Sequence, residues 1–220
     1  RVIATDLRMP TAHDGPDEGP FQLLDCLDPN HITRVMQRFD VGIIYHLAAV
    51  LSAVGEAKPS QAWDINVNGL YNILEAARQY HCSVFFPSSI GAFGESTPKD
   101  GTPQVTIQRP TTMYGVTKVT GELLCDYYYA RFGVDTRGLR FPGLLSYLTE
   151  PGGGTTDYAV DIFHHAVEHQ SYTCYLRPDT SLDMMYISDA VRAMIELMEA
   201  DPKHLTHRNA YNVSAFAFTP

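Results

Sequence analysis

Tyr114-Gly115-Val116-Thr117-Lys118 places a phenol and an ammonium four residues apart at the start of a helical stretch. Residues at i and i+4 share one helix face, so the cation can lie beneath the ring. A free tyrosine has a pKa of roughly 10 and is a poor base at neutral pH. A nearby cation favours the phenolate and moves it toward the range of a general base. The spacing alone is also a common surface pattern, so its meaning depends on a cofactor and a second polar group beside it. Ser88-Ser89 follow an apolar run and precede Gly91-Ala92-Phe93-Gly94. A hydroxyl at Ser89 could hold a substrate oxygen in line with the phenol, or cap backbone donors of a serine-rich turn.

The elements that must position these groups alternate between strand and helix. Val2-Ile3-Ala4-Thr5-Asp6 reads as a short buried strand ending in a carboxylate, and residues 9–20 form a loop rich in proline, glycine and acids. Phe21–Leu24 is a second strand ending at Asp25, and a helix opens at Asp28-Pro29-Asn30 and runs to about Phe39. Val41–Ala49 is almost wholly apolar, as a strand covered on both faces should be. A long helix is expected over Pro59–Tyr80, a strand over Cys82–Phe86 that runs out at Pro87-Ser88-Ser89, a helix over Thr111–Phe132 and a strand over Val134–Phe141. This order predicts an α/β, doubly wound parallel sheet of Rossmann type. After Leu145 a glycine loop, a helix over Tyr158–His169, strands near Tyr172–Leu176 and Ala210–Val213, and a helix over Ile187–Glu199 are expected. We read residues 1–145 as the cofactor-binding domain and 146–220 mainly as a small C-terminal substrate-binding cap with returns to the core.

Ligands of open parallel sheets bind beyond the carboxyl ends of the strands. Asp6 at such an end can accept both adenosine-ribose hydroxyls and repels a 2′-phosphate, which favours NAD over NADP. Asp25 and Cys26 would flank the adenine, although Asp25 reads equally well as a turn carboxylate.

Composition limits the alternatives. Sixteen Lys and Arg against 25 Asp and Glu give a net charge of −9, which leaves no basic stripe for nucleic acid or an anionic membrane surface. No apolar run is long enough to span a bilayer, and no leader segment is legible. The cysteines Cys26, Cys82, Cys125 and Cys174 are scattered, as expected of reduced thiols. His164, His165 and His169 resemble a metal cluster but have no cysteine beside them, and no metal is expected.

With Asp6, Asn66, Ser88-Ser89 before Ala92-Phe93-Gly94, and Tyr114 with Lys118, the chain resembles the extended short-chain dehydrogenase/reductases over nearly its whole length. More narrowly it is similar to the NAD-dependent L-threonine 3-dehydrogenases. The stretches that carry this are Leu51–Glu56, Pro87–Gly94, Gln108-Arg109-Pro110, Arg140–Gly143, Pro151–Tyr158 and Met184–Asp189. Pro151-Gly152-Gly153-Gly154-Thr155-Thr156-Asp157-Tyr158 is far more specific than the tyrosine–lysine spacing.

The resemblance implies oxidation of the L-threonine side-chain hydroxyl with NAD⁺. Tyr114 would be the base, Ser89 the hydroxyl partner, Lys118 the cation beside phenol and ribose, and Asn66 a tie in the proton relay. Leu47, Ala48, Ala49, Pro142, Gly143 and Leu144 would line the NAD site. Ser52, Ser88, Gly154 and Thr155 would grip the amino acid together with Ser89 and Tyr114. A homodimer is implied, through the helices near 59–80 and 111–132, in mitochondria for a eukaryote and in the cytoplasm for a bacterium, with the former slightly favoured. The family's first strand and glycine-rich turn have no counterpart before Arg1, so a chain truncated at both ends, binding NAD weakly by itself, is expected. The other readings are a nucleotide-sugar epimerase or dehydratase of the same superfamily and a non-catalytic NAD-sensing protein.

Overall fold

The computed structural model describes residues 1–10, 19–147, 152 and 154–220. Most of the expected loop at 9–20 therefore lies outside the described residues, as do Pro151 and Gly153 of the glycine run. The chain begins with β1 (Ala4–Asp6) and β2 (Phe21–Leu23), which pair in parallel. Helix α1 (Pro29–Phe39) follows, with Asp28 Oδ1 accepting the Asn30 and His31 amides at 2.9 and 3.2 Å. Next come β3 (Ile43–Tyr45), α2 (Ser52–Ala57), α3 (Pro59–Trp63), a π-helical turn at Asp64–Asn68, and α4 (Gly69–Tyr80). Strand β4 (Ser83–Ser89) leads through a 3₁₀ turn at Ile90–Ala92 to α5 (Met113–Phe132), then β5 (Thr136–Phe141) and β6 (Gly143–Leu145). The last elements are α6 (Tyr158–His169), β7 (Leu182–Tyr186), α7 (Ile187–Glu199), β8 (Tyr211–Asn212) and β9 (Phe216–Phe218).

The central sheet runs β3-β4-β5-β8, all parallel. Alternate residues of β4 point to opposite faces. Val84 and Phe86 join Ile32, Leu70, Leu74, Cys125 and Tyr128 in the cluster beneath α1, α4 and α5. Phe85 joins Leu139, Phe141, Met185, Ala190 and Met198 beneath α7. Helices therefore cover both faces, as the sequence pattern predicts for an α/β fold of Rossmann type. The ladder is nonetheless divided, because β1 and β2 form a separate two-stranded sheet. A third sheet, β6-β7-β9, packs on α6 through Tyr158, Ala159 and Met184.

Several elements differ from the sequence reading. The first strand covers Ala4–Asp6 and is exposed, since its hydrogen-bonded neighbour is β2 alone. The apolar run at 41–49 forms only three residues of strand, and Ile43 and Leu47 are 44% and 59% exposed. The helix expected over 59–80 contains the π turn, and α2 precedes it. Tyr172, Cys174 and Leu176 do face one core cluster alternately, but the segment joins none of the three sheets. Strand β4 continues through Pro87 to Ser89, with β5 alongside it to Phe141.

Candidate active site

The carboxyl ends of β4 and β5 and the start of α5 meet at Tyr114. Thr112 caps α5 by accepting the Gly115 amide at 3.1 Å. Gly115 has no room for a side chain, since a Cβ would lie 2.3 Å from the Gly91 carbonyl oxygen. The 3₁₀ turn and the helix start are thus in contact, and a Cβ on Gly91 would lie 3.2 Å from the Tyr114 ring. Ser89 accepts the Gly91 amide at 3.1 Å, and its Oγ and the Tyr114 ring lie 3.5 and 3.2 Å from the point a Cβ on Gly91 would occupy. Ser89 therefore caps the turn, as one of its two readings has it, and stands beside Tyr114.

Lys118 is buried, and its Nζ donates to the Pro87 carbonyl at 2.7 Å. The ammonium lies 5.3 Å from the Tyr114 ring centroid and 5.2 Å from that of Phe86. Burial pushes the Lys118 pKa down to about 8, with Glu122 opposing the shift. Burial pushes the Tyr114 phenol above its ordinary value, while the Ser89 hydrogen bond draws it down. This corrects the expectation that Lys118 lowers the phenol. One helical turn sets the ammonium over the face of the ring and against a strand carbonyl, so desolvation dominates at the phenol.

Asn66 sits in the π turn and is buried. Its amide accepts the Val50 N–H at 2.7 Å and donates to the Val50 carbonyl at 3.1 Å and to Thr117 Oγ1 at 3.0 Å. The Thr117 hydroxyl donates to the Tyr114 carbonyl at 2.8 Å. Asn66 thus ties backbone to backbone, clamping the segment after β3 to the first turn of α5.

Ser88, expected to grip substrate, shares the face of Phe86 instead, because adjacent strand residues point oppositely. It is buried and donates to Glu122 Oε1 in a short hydrogen bond. Glu122 receives Arg140 through both oxygens, at 2.9 and 2.8 Å, and Gln108 Nε2 at 2.8 Å. Arg140 also donates to the Gln104 carbonyl and to Asn212. The sequence reading missed this buried pair. The available signal was Arg140 in a strand expected at the centre of the sheet, two residues before Pro142, since a buried guanidinium requires a partner.

The remaining expected positions occupy the strand ends. Asp6 is exposed and accepts the Arg8 amide at 3.1 Å. Asp25 Oδ1 accepts the Leu27 amide at 2.8 Å, which is the turn reading. The Cys26 sulfur packs against α4, 2.8 Å from where a Cβ on Gly69 would lie. Leu47 and Ala48 are exposed and Ala49 is partly buried after β3. Pro142 and Gly143 are buried and Leu144 is 38% exposed. An outward carboxylate at one strand end and apolar side chains at two others suit a ribose and flat rings, so these residues fit NAD. In the glycine loop, Gly154 gives its amide to Asp157 at 2.6 Å, and the Gly154 and Thr155 carbonyls accept the Tyr175 hydroxyl at 3.4 and 3.1 Å. A Cβ on Gly152 would lie 3.0 Å from Leu51, which places the loop beside Ser52.

His46, at the end of β3, escaped the sequence reading. It is buried, its Nε2 has no hydrogen-bond partner, and burial with the charge of Lys118 pushes its pKa down to about 4. Between its ordinary 6.5 and 4 the unfolded chain binds the proton and the folded chain does not. Stability from this group is therefore present above about 6.5 and is lost as pH falls toward 4, by on the order of 3 kcal/mol. Urea unfolding at pH 7 and pH 4.5 should show a shallower loss for His46→Gln than for the natural protein. Equal losses would show that His46 does not carry the effect.

The parallel sheet and the Ser89–Tyr114–Lys118 arrangement define an NAD-dependent enzyme of the short-chain dehydrogenase kind. Residues 1–214 match the NAD dependent epimerase/dehydratase family, and the chain belongs to that family. An uncharacterized epimerase/dehydratase of Staphylococcus aureus strain USA300 is 56% identical over 219 residues, which span 100% of this chain and 68% of the relative. Among solved structures, the L-threonine dehydrogenase of Clostridium difficile is 53% identical with a TM-score of 0.95, covering 99% of this chain and 68% of that one. A monomeric L-threonine 3-dehydrogenase from a metagenome is 44% identical with a TM-score of 0.93, covering 99% and 69%. NAD is the cofactor of the family. No helix among the described residues is long and apolar enough to cross a membrane.

Proposed function

We propose that this protein is an NAD-dependent L-threonine 3-dehydrogenase, converting L-threonine and NAD⁺ to L-2-amino-3-oxobutanoate, NADH and a proton. The observation that carries the reading is the convergence of Ser89 and the Tyr114 ring about Gly91, above a buried Lys118, at the carboxyl edge of the sheet. Likeness to L-threonine dehydrogenases at 53% and 44% identity supports the substrate. Asp6, Leu47, Ala48, Ala49, Pro142, Gly143 and Leu144 would hold the cofactor, with Asp25 and Cys26 nearer the adenine. The bound cofactor would supply the hydride acceptor for the carbon that bears the hydroxyl. Tyr114 takes the hydroxyl proton, and Ser89 hydrogen-bonds the same oxygen as negative charge develops there. Lys118, protonated below about pH 8, supplies the positive charge beneath the phenolate and reaches the ribose. Asn66 keeps the Tyr114 turn in place. Ser52 and the glycine loop at Gly154-Thr155 grip the amino acid, and we assign residues 146–220 mainly to the substrate cap.

Tyr71, Val116, Leu123 and Tyr127, exposed on α4 and α5, are where we place a homodimer contact. The bacterial relatives support a cytoplasmic protein over the mitochondrial assignment. The test is absorbance of NADH when the full-length protein meets NAD⁺ and L-threonine. Free NADH accumulating with threonine supports the reading. No NADH with threonine, together with turnover of a nucleotide sugar without NADH release, would replace it with the epimerase reading.

A further inference from the structure

Helix α2 lies between the two halves of the proposed site. At one end, Leu51 touches the glycine loop at Gly152, where a Cβ would lie 3.0 Å from the leucine side chain. Ser52 is the next residue. At the other end, a Cβ on Gly55 would lie 4.0 Å from the Tyr114 amide nitrogen, so the helix rests on the backbone of the base. Glu56 then reaches across, and its Oε1 accepts the Met113 N–H at 2.6 Å, bridging 57 positions of sequence.

Met113 is the first residue of α5, and its amide is one of the helix-start donors that have no partner within the helix. A carboxylate there is also favoured by the positive end of the helix dipole. At six residues α2 is too short to hold itself in place, so its position depends on such tethers. Ser52 and Glu56 are four residues apart and share one face of α2. The face that presents Ser52 is therefore the one fastened to the turn that holds Tyr114.

We infer that Glu56 is a positioning residue that locks α2 to the first turn of α5, so that the substrate-gripping Ser52 and the base Tyr114 move as one unit. This rests on the dehydrogenase reading for its substrate, but the lock itself is a structural claim. The bond needs an acceptor oxygen at the end of a side chain of this length. Glutamine keeps that oxygen, and alanine removes it. Glu56 is exposed, so neither change leaves a buried cavity.

The experiment compares the full-length protein with its Glu56→Gln and Glu56→Ala variants. Two readouts are needed: steady-state oxidation of L-threonine, and hydrogen exchange at the Met113 amide. In Glu56→Ala, kcat should fall by about tenfold, with KM for NAD⁺ unchanged within about twofold, because misplacing a base by a fraction of an ångström slows chemistry without removing a cofactor contact. Exchange at Met113 should accelerate by at least about tenfold as the amide loses its acceptor. Glu56→Gln should stay within about twofold of the natural protein on both readouts. Unchanged kcat or unchanged exchange in Glu56→Ala overturns the inference, and so does Glu56→Gln falling as far as alanine. A natural protein inactive toward threonine defeats the substrate assignment, and the exchange comparison then decides the lock by itself.

Discussion

Tyr114→Phe in the full-length protein should lower turnover with threonine at least about a hundredfold, the scale of losing a group that moves a proton in the transition state. The loss should appear in kcat while NAD⁺ affinity changes little. The ring of Tyr114 remains to pack on Gly91, and Lys118 keeps its bond to the Pro87 carbonyl. Ser89 also keeps its second partner, the Gly91 amide, so the turn is not expected to collapse. Steady-state kinetics and isothermal titration with NAD⁺ distinguish this from misfolding. A variant that keeps most of its turnover would remove Tyr114 from the chemistry and with it the proposed mechanism.

The largest effect on stability is expected at Glu122. Among the described residues its carboxylate is the acceptor for the Arg140 Nε and Nη2, and it also receives Ser88 and Gln108. Both members of the pair are buried, at 4% and 6% exposure, so Glu122→Leu strands a guanidinium in a low-dielectric interior. The expected cost is about 3–5 kcal/mol, read as a lower urea midpoint at unchanged slope. The double variant Glu122→Leu with Arg140→Met should recover most of that loss, since a buried pair replaced by apolar groups of similar volume is often neutral. A single variant that melts with the natural protein would show that Arg140 finds other partners. The same network explains why Ser88 is unavailable to substrate although its neighbour Ser89 is at the phenol.

The legible parts of this protein are those set by local pattern. Asp28 before Pro29 fixed the start of α1, because cap chemistry depends on residues within one turn. The helix over Tyr158–His169 was likewise visible, and spacing also singled out Tyr114, Lys118 and Ser89 as the candidate chemical groups. Less visible were features that depend on what lies across the chain. The segment Tyr172–Leu176 alternates as a strand does and packs on a core cluster, yet it joins no sheet, because alternation reports burial and not the presence of a neighbour to pair with. Asn66 was found by type, but its role as a clamp on Val50 and Thr117 required the π turn that aims it. His46 reads as one polar residue in an apolar run until burial removes its proton.

Sequence by itself determined the tyrosine and lysine four residues apart, the serine at a strand end and the α/β alternation, because these follow from residue type and short-range periodicity. Only the tertiary structure decided what the pair's environment does to it. The ammonium meets a strand carbonyl and the faces of two rings, and the half-buried phenol ring stands beside Gly91 and Ser89. Burial, which depends on every element packed around the site, outweighs the charge that sequence spacing placed beneath the ring.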